Sequence, residues 1–388
     1  MKKLFTVLAS LAILAAFAVP ASAAEGDVEA RIAALEEAFQ CSWKFYGSAR
    51  MTTFWEKRSV QRSVTGLDDD TDMTWALQGN SRIGGMVKLG DVDGRFEYGH
   101  TTANGATLRL LYGQWNFGAG KLLVGQDYTP MTFWVSGQAW NGDNCLLGFG
   151  QMYQGREQQV KLTFGNFQIA AINPVTNRAV TGFPQADIDT TIPKLAASYD
   201  IKGGPIKARI SGAYQTYDVV RVVAGAEDEQ SVDAWQIATG AVYDMGPFFL
   251  KGDLYYGENL ANMGQSSVAA ATTTGIAGIR ADRAAWSGTT IVDAETLGFA
   301  LIAGFKMNDS ITFEVGYGQA NNEIEIGGTS VEQDVKAYYM NAAISLAKNV
   351  FIVPEIGKLD YGDIKQTGVP DENQGDIKYL GAKWQINF

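Results

Sequence analysis

The sequence predicts an all-β protein: a transmembrane antiparallel β-barrel of about sixteen strands with a short N-terminal helix. Three observations lead to this fold class. The chain begins with a secretory-type segment, the rest alternates polar and apolar residues over many short stretches, and no later run of eighteen apolar residues can form a transmembrane helix. A chain that crosses a membrane without such helices must close its backbone hydrogen bonds as a barrel.

The N-terminus has the three parts of a signal peptide. Lys2 and Lys3 form the positive region, residues 4–19 form an apolar run, and the small residues 21–23 precede the cleavage site. The run is short for a membrane anchor and no stop-transfer pattern follows it. We therefore expect residues 1–24 to be a cleaved signal peptide.

Charge and metal-ligand content exclude several functional classes. Without Lys2 and Lys3 the chain has 29 basic and 42 acidic residues, a net charge of −13, which argues against a nucleic-acid-binding protein. One histidine, His100, and two cysteines, Cys41 and Cys145, are too few for a zinc or haem site, so we expect no metal and no cofactor. A Cys41–Cys145 disulfide stays open, because spacing alone cannot place the two Cα atoms within bridging distance.

Residues 25–41 are expected to form a short periplasmic amphipathic helix. Four apolar residues follow the a/d spacing of a coiled coil. They are Val28, Ile32, Leu35 and Phe39. Two heptads are too short to be stable alone, so the helix either oligomerises below the barrel or lies against it.

From residue 42 to 388 the hydrophobic period is two, as in β-strands. On the first strand Trp43 and Trp55 bracket a face of apolar and small residues, which suits a lipid-facing surface between aromatic girdles. The predicted strands are 43–55, 73–89, 92–101, 107–117, 120–126, 157–164, 167–173, 193–201, 205–217, 233–244, 247–257, 295–306, 310–319, 335–347, 350–361 and 377–388.

Short and long connections alternate along the chain. Tight turns rich in Gly, Asn and Asp are expected near residues 90, 118, 165, 203, 246, 308 and 348. Long polar connections are expected at 56–72, 127–156, 174–192, 218–232, 258–294, 319–334 and 361–376. Short turns on one side and long loops on the other are typical of a membrane barrel.

Two motifs resemble known proteins. The last strand alternates through Trp384, Ile386 and Phe388, which resembles the sorting signal that the barrel-assembly machinery of Gram-negative bacteria recognises. The segment Leu110–Pro130 (LLYGQWNFGAGKLLVGQDYTP) resembles general bacterial porins, where a "YxGL" strand end, an "FG" turn and "LGRQxTP" precede the third outer loop. The heptads at 28–39 are similar to a porin subset with a periplasmic coiled coil.

The resemblance implies a homotrimer of sixteen-stranded barrels in the outer membrane of a Gram-negative bacterium. It implies passive or weakly selective diffusion of small hydrophilic, charged solutes through a water-filled channel. The partners would be the lipid bilayer and lipopolysaccharide, to which acidic outer loops can be bridged by divalent cations, although carboxylates alone do not define such a site.

The resemblance also implies that the third outer loop, 127–156, folds inward and narrows the pore. The loop is apolar for a solvated segment, with aromatic residues such as Phe133, Trp134 and Trp140. It therefore packs either against the barrel interior or as an exposed patch against a partner.

Strand parity gives the candidate constriction residues. With the apolar face outward, arginines on the first four strands face the lumen, and acidic residues of the third outer loop lie opposite. The arginines are Arg50, Arg82, Arg95 and Arg109, and the acidic residues are Asp127 and Asp143. These groups form either an ordinary polar lining or a basic strip that sorts solutes by charge.

Two other functions remain to be compared with a channel. An outer-membrane barrel enzyme would need an activating histidine, and His100 shares the outward parity of Tyr98 near a rim, so we expect no enzymatic activity. A structural or adhesive barrel would have a plugged lumen and no conductance.

Overall fold

The computed structural model describes residues 41–61, 67–101 and 105–388. The predicted signal peptide (1–24) and the predicted helix with Val28, Ile32, Leu35 and Phe39 lie outside these residues. Among the described residues, no helix is long and apolar enough to cross a membrane.

The described chain is almost entirely β-structure. The strands of its first half are β1 (Cys41–Gln61), β2 (Leu67–Leu77), β3 (Arg82–Leu89), β4 (Val92–His100), β5 (Ala106–Asn116), β6 (Lys121–Tyr128), β7 (Arg156–Phe164), β8 (Phe167–Ile172), β9 (Asp187–Asp189) and β10 (Lys194–Gly203). One four-residue helical turn, α1 (Trp140–Asp143), lies between β6 and β7.

The second half continues the same pattern. Its strands are β11 (Ile206–Val223), β12 (Ala226–Met245), β13 (Phe248–Glu258), β14 (Ala285–Trp286), β15 (Ile291–Val292), β16 (Ala294–Lys306), β17 (Ile311–Ile326), β18 (Thr329–Ala347), β19 (Val350–Asp360), β20 (Asp363–Gln366), β21 (Val369–Asn373) and β22 (Gly375–Asn387).

The sheet closes on itself. The first strand, β1, pairs antiparallel with the last, β22, with Arg50 opposite Gln385. On its other edge β1 pairs with both β2 and β3, which together act as one wall strand interrupted at residues 78–81. The short strands β9, β14, β15, β20 and β21 belong to connections. The wall is therefore a closed antiparallel barrel of sixteen strands, which confirms the predicted fold class.

Residues alternate between the two faces of the wall. On β1, Trp43, Phe45 and Trp55 are 58%, 70% and 58% exposed, whereas the intervening Phe54 is fully buried inside the barrel. The outer surface is a broad apolar band, which a membrane covers. The interior holds polar side chains together with a packed core where the connections meet the wall.

Three expected long loops are instead largely strands. The sequence predicted polar connections at 56–72, 218–232 and 319–334. In the structure β1 and β2 remain paired from Glu56 opposite Asp72 to Gln61 opposite Leu67. β11–β12 and β17–β18 continue as hairpins closed by two-residue turns. Ala224 and Gly225, like Gly327 and Gly328, have positive φ angles at both central positions, as tight hairpin turns require. These hairpins extend beyond the apolar band, so their residues are polar. In the sequence, such a polar strand has the same composition as a loop.

Candidate functional site

Three arginines from neighbouring wall strands converge inside the barrel. Arg50 lies on β1, Arg82 on β3 and Arg109 on β5. Their side chains are 15%, 20% and 7% exposed, while an outward neighbour such as Ile83 is 60% exposed. Adjacent strands lie about 4.8 Å apart, so side chains from three of them can line one patch of the interior.

A β-bulge turns Arg109 inward. Leu111 and Trp115 on the same strand are each 51% exposed, so strict alternation would place Arg109 on the outer face as well. The lumen position that strand parity predicted for Arg109 is therefore reached only through the bulge. The β4–β5 register shifts at this point, with Glu97 opposite Leu110 but Tyr98 opposite Leu108. The extra residue changes the phase of the strand, as bulges do.

Glu97 on β4 is shared by three arginines. Its carboxylate accepts hydrogen bonds from Arg109 Nε at 2.7 Å, Arg95 Nη2 at 3.2 Å and Arg82 Nη1 at 3.5 Å. Tyr46 donates a fourth at 2.9 Å. Glu97 alternates with the outward Tyr98 on β4, but nothing in the sequence indicated that one carboxylate organises three guanidinium groups.

Asp143 connects the segment between β6 and β7 to the wall at β1 and β22. It contacts Arg50 Nη1 at 2.5 Å, Lys383 Nζ at 2.9 Å and Asn80 Nδ2 at 2.6 Å. Asp127 lies elsewhere, at the end of β6, where its carboxylate pairs with Lys161 Nζ at 2.7 Å. The two acidic candidates are therefore not equivalent, and only Asp143 lies beside the arginines.

Three wall carboxylates, Asp253, Glu314 and Glu355, hold the segment Thr129–Gly155 (here the inner segment). Glu355 accepts the backbone N–H groups of Ala139 and Trp140 at 2.6 and 2.9 Å. Glu314 accepts the N–H of residue 137 at 2.6 Å, and Asp253 accepts that of residue 152 at 2.9 Å. Charge-assisted bonds of this kind are stronger than neutral ones and order a segment that has no regular structure.

Apolar packing completes the attachment of the inner segment. Its Trp140 stacks on Tyr379 of β22 with ring centroids 5.3 Å apart. The backbone at Gly150 lies so close to the wall that a Cβ there would overlap the carbonyl oxygen of Phe299. The interior-facing side chains in this cluster include Phe54, Val135, Leu146 and Phe149.

A cavity of about 370 Å³ remains between the inner segment and the arginines. Aromatic rings line its other side, with Trp134 and Tyr153 at a centroid distance of 4.9 Å and Arg156 over the Tyr128 ring at 5.4 Å. The full lining is Arg50, Asn80, Arg82, Arg109, Tyr128, Trp134, Ser136, Gly142, Asp143, Cys145, Leu147, Tyr153 and Arg156. Arg95 and Asp127 are not part of it.

The remaining candidates lie apart from this cavity or carry no reactive chemistry in it. His100 lines a groove on the outer wall with Ile83, Tyr98 and Phe388. Cys145 is a free cysteine whose thiol lies 3.7 Å from the carbonyl oxygen of Gln138. Within the described ranges, no group of His, Cys, Asp and Glu has the arrangement of a metal site.

The family follows from comparison with known sequences. The chain matches the family model described as Gram-negative porin over residues 9–368. The chain belongs to the Gram-negative porin family. The resemblance seen at Leu110–Pro130 is thereby confirmed, and so is the outer membrane as its location. No curated protein matches the sequence significantly.

Solved porin structures share the fold at low sequence identity. The outer membrane channel DcaP of Acinetobacter baumannii has a TM-score of 0.62 at 15% identity, covering 89% of this chain and 97% of that one. In-vitro folded OmpT of Vibrio cholerae, in its trimer form, gives 0.56 at 15%, covering 89% and 99%. The anion-selective porin from Comamonas acidovorans gives 0.53 at 13%, covering 90% and 100%.

Proposed function

We propose that this porin is a water-filled channel that favours small anionic solutes. One observation carries the proposal: four arginines line the interior cavity, and its one carboxylate, Asp143, is already in contact with Arg50 and Lys383. Arginine keeps its charge at physiological pH and presents a planar set of donors to carboxylate or phosphate groups. Even with Glu97 bonded to Arg82 and Arg109, the four arginines outnumber the two carboxylates, so the cavity favours anions despite the acidic total of the chain.

In this proposal the segment 127–156 is the constriction. Its anchoring to Asp253, Glu314 and Glu355 keeps the aromatic side of the cavity at a constant distance from the arginines. The solute is attracted by the wall arginines Arg50, Arg82 and Arg109. Asp143 does not face these arginines across open water but holds the inner segment to the wall. Arg95 and Asp127 act outside the cavity, through Glu97 and Lys161 respectively.

The experiment is single-channel recording in a planar bilayer, followed by the reversal potential in a salt gradient. We expect stepwise conductance and a reversal potential whose sign shows that anions permeate better than cations. Salt screens charges over roughly 8–10 Å at 0.1–0.15 M, so the preference should be larger at low salt. An absence of conductance steps would favour a plugged structural barrel, and a cation-selective potential would contradict the role of the arginines.

The proposed channel has no catalytic chemistry. His100 lies in a groove of the outer wall, apart from the arginine-lined cavity. We expect His100→Ala to conduct like the unmodified protein. An outer-membrane enzyme dependent on this histidine would instead lose its activity.

The proposal extends to export and assembly. Residues 1–24 act as a cleaved signal peptide. The outward Trp384, Ile386 and Phe388, which are 46%, 54% and 69% exposed, serve as the sorting signal for the barrel-assembly machinery. The channel assembles as a homotrimer, the form in which Vibrio cholerae OmpT was solved. Its long loops face outward beside lipopolysaccharide, and its short turns face the periplasm.

A further inference from the structure

One large aromatic side chain lies inside the barrel and is nevertheless exposed. Trp134, on the inner segment, is 41% exposed, whereas the exposed tryptophans of the wall strands, such as Trp55 and Trp115, lie on the outer face. Trp134 lines the cavity of about 370 Å³ that the arginines also line. A solute that covers its ring therefore gains the free energy of removing apolar surface from water.

Two tyrosines hold the ring of Trp134 in position. The ring centroid of Tyr153 lies 4.9 Å from that of Trp134, and Tyr128, at the end of β6, meets Trp134 edge-on at 6.3 Å. The two tyrosine rings also contact each other, with their centroids 6.4 Å apart. These three rings (here the aromatic platform) are preformed, so a solute that binds to them does not have to order them first.

Two arginines of the same cavity have unused hydrogen-bond donors. Arg109 donates to Glu97 through its Nε at 2.7 Å, and Arg156 donates to the Tyr128 hydroxyl through its Nη1 at 3.4 Å. In the part of the chain that the structure describes, the other N–H groups of these two guanidinium groups have no hydrogen-bond partner. They are therefore available to an anion in the cavity.

A cavity with both features distinguishes between solutes. Its volume is within the range of about 300–1,000 Å³ that is typical of small-molecule sites, which combine aromatic walls with a few polar groups. A small ion such as chloride or acetate would bind the arginines and leave the aromatic platform uncovered. A neutral ring would cover the platform and leave the arginine donors unused.

We propose that the cavity binds aromatic carboxylates, with the carboxylate on Arg109 and Arg156 and the ring against Trp134. This rests on the proposed function, an anion-favouring channel, and names the class of solute for which that channel has a binding site. A carboxylate attached directly to a ring can lie in the plane of the ring. One flat molecule can therefore contact both the planar guanidinium groups and the aromatic platform.

The test is the block of single-channel chloride current in a planar bilayer by four probes: benzoate, cyclohexanecarboxylate, acetate and benzyl alcohol. Benzoate should halve the current at a concentration roughly tenfold lower than acetate, because it also covers the aromatic platform. Cyclohexanecarboxylate has the same charge but a saturated ring, and should need a concentration roughly threefold higher than benzoate. Benzyl alcohol, which has the ring without the charge, should block weakly.

Substitutions of Trp134 test the aromatic contact. Trp134→Leu should raise the half-blocking concentration of benzoate roughly fivefold and change that of acetate much less, since only benzoate has a ring. Trp134→Phe keeps a flat ring and should retain most of the affinity for benzoate. The matched control is Trp115→Leu, which removes a tryptophan that is 51% exposed on the outer wall and should be blocked like the unmodified protein.

Three outcomes would overturn the aromatic carboxylate site. They are equal half-blocking concentrations for benzoate and acetate, equal effects of Trp134→Leu and Trp115→Leu, and a block by benzyl alcohol as strong as that by benzoate. The reversal potential in a chloride gradient separates this inference from the proposed function. A channel that prefers chloride but does not distinguish benzoate from acetate would contradict the aromatic site alone, whereas a cation-selective potential would count against the proposed function.

Discussion

Arg109 illustrates how one residue's position depends on a local irregularity. Its inward position comes from the bulge opposite Glu97, which lets its guanidinium reach that carboxylate at 2.7 Å. The cavity thereby gains a third wall arginine beside Arg50 and Arg82. At this scale, selectivity depends on where each guanidinium lies relative to Glu97 and Asp143.

The first prediction concerns the arginines as a set. Replacing Arg50, Arg82 and Arg109 with Ala removes three positive charges from the cavity, so the reversal potential should shift toward cations, by more at low salt than at high salt. The control is the corresponding triple Lys variant, which keeps the charge and should keep most of the anion preference. Identical reversal potentials for wild type and the Ala variant at low salt would rule out these arginines as the selectivity wall.

The second prediction concerns Glu97. Its side chain is 2% exposed and is shared by Arg82, Arg95 and Arg109. Glu97→Gln leaves these cations without a counter-charge, which should cost about 3 kcal/mol of stability and lower the melting temperature of the barrel. Anion preference should rise at the same time. Glu332→Gln, on the outer face, serves as control, and equal melting temperatures for the two variants would contradict the shared-carboxylate arrangement.

At the scale of elements, the inner segment depends on carboxylates of distant strands. Glu355 of β19 accepts two of its backbone N–H groups, and Glu314 of β17 accepts another. The segment has almost no regular structure to hold it. Its order therefore comes from bonds to the wall and from the packing around Trp140.

The third prediction follows from this attachment. Glu355→Gln keeps the shape of the side chain but weakens two charge-assisted hydrogen bonds, each worth about 1.5–3 kcal/mol. Single-channel currents should then fluctuate more as the segment moves, while the barrel itself stays folded on detergent gels. Glu323→Gln on the outer face is the matched control. Current noise that is unchanged by Glu355→Gln would show that apolar packing alone holds the segment.

The fourth prediction concerns the long connection between β13 and β16. Its Asp282 is 1% exposed and lies 2.8 Å from Arg280 and 3.1 Å from Arg283, with Ser267 donating at 2.7 Å. Burial alone would raise the pKa of Asp282, but the hydrogen bonds and charges of the two arginines hold this pKa below its ordinary value. The ionised Asp282 therefore stabilises the loop fully at pH values above about 3.9, the ordinary pKa of an aspartate. This stabilisation is lost as the pH falls through the lower pKa that Asp282 has in the folded protein.

Hydrogen–deuterium exchange of residues 265–285, corrected for intrinsic rates, measures this effect. Protection in the unmodified protein should be constant from neutral pH to about pH 4 and fall below it. Asp282→Asn should show low protection throughout. Protection in the unmodified protein that declines near neutral pH would assign the order of this loop to another group.

For the whole molecule, the closed wall leaves a continuous apolar outer band but does not by itself specify the number of barrels in a particle. The proposed trimer depends on contacts between outer faces and on the N-terminal segment. Ile32 and Leu35, at heptad spacing, are the residues through which that segment would act.

The fifth prediction tests this assembly. Unheated detergent gels should show a heat-sensitive oligomer near three times the mature mass. Replacing Ile32 and Leu35 with Asp should lower its melting temperature, because charges at a/d positions oppose helix association, and single-channel conductance should not change. Asp27→Asn with Glu37→Gln, at the c and f positions away from that seam, provide the control. A monomer under mild detergent conditions would argue against the trimer, and an unchanged melting temperature would argue against the coiled coil.

The sequence by itself determined the architecture. The period-two alternation depends only on neighbouring residues, as on β1, where Trp43 and Phe45 point outward and Lys44 and Tyr46 inward. Tight turns are also a local signal, marked by residues such as Gly90 and Asn349. These local signals predicted the sixteen-stranded barrel, the family and the outer membrane. They were wrong where paired strands extend beyond the membrane, at 56–72, 218–232 and 319–334, because a polar strand in water has the composition of a loop.

Only the tertiary structure decided the composition of the cavity. Lys383 meets Asp143, and Glu355 meets Trp140, across separations of 240 and 215 residues. Closure of the barrel brings these groups together, and no local pattern encodes such a pairing. The same holds for Arg109, whose inward position depends on a bulge that changes the phase of its strand by a single residue.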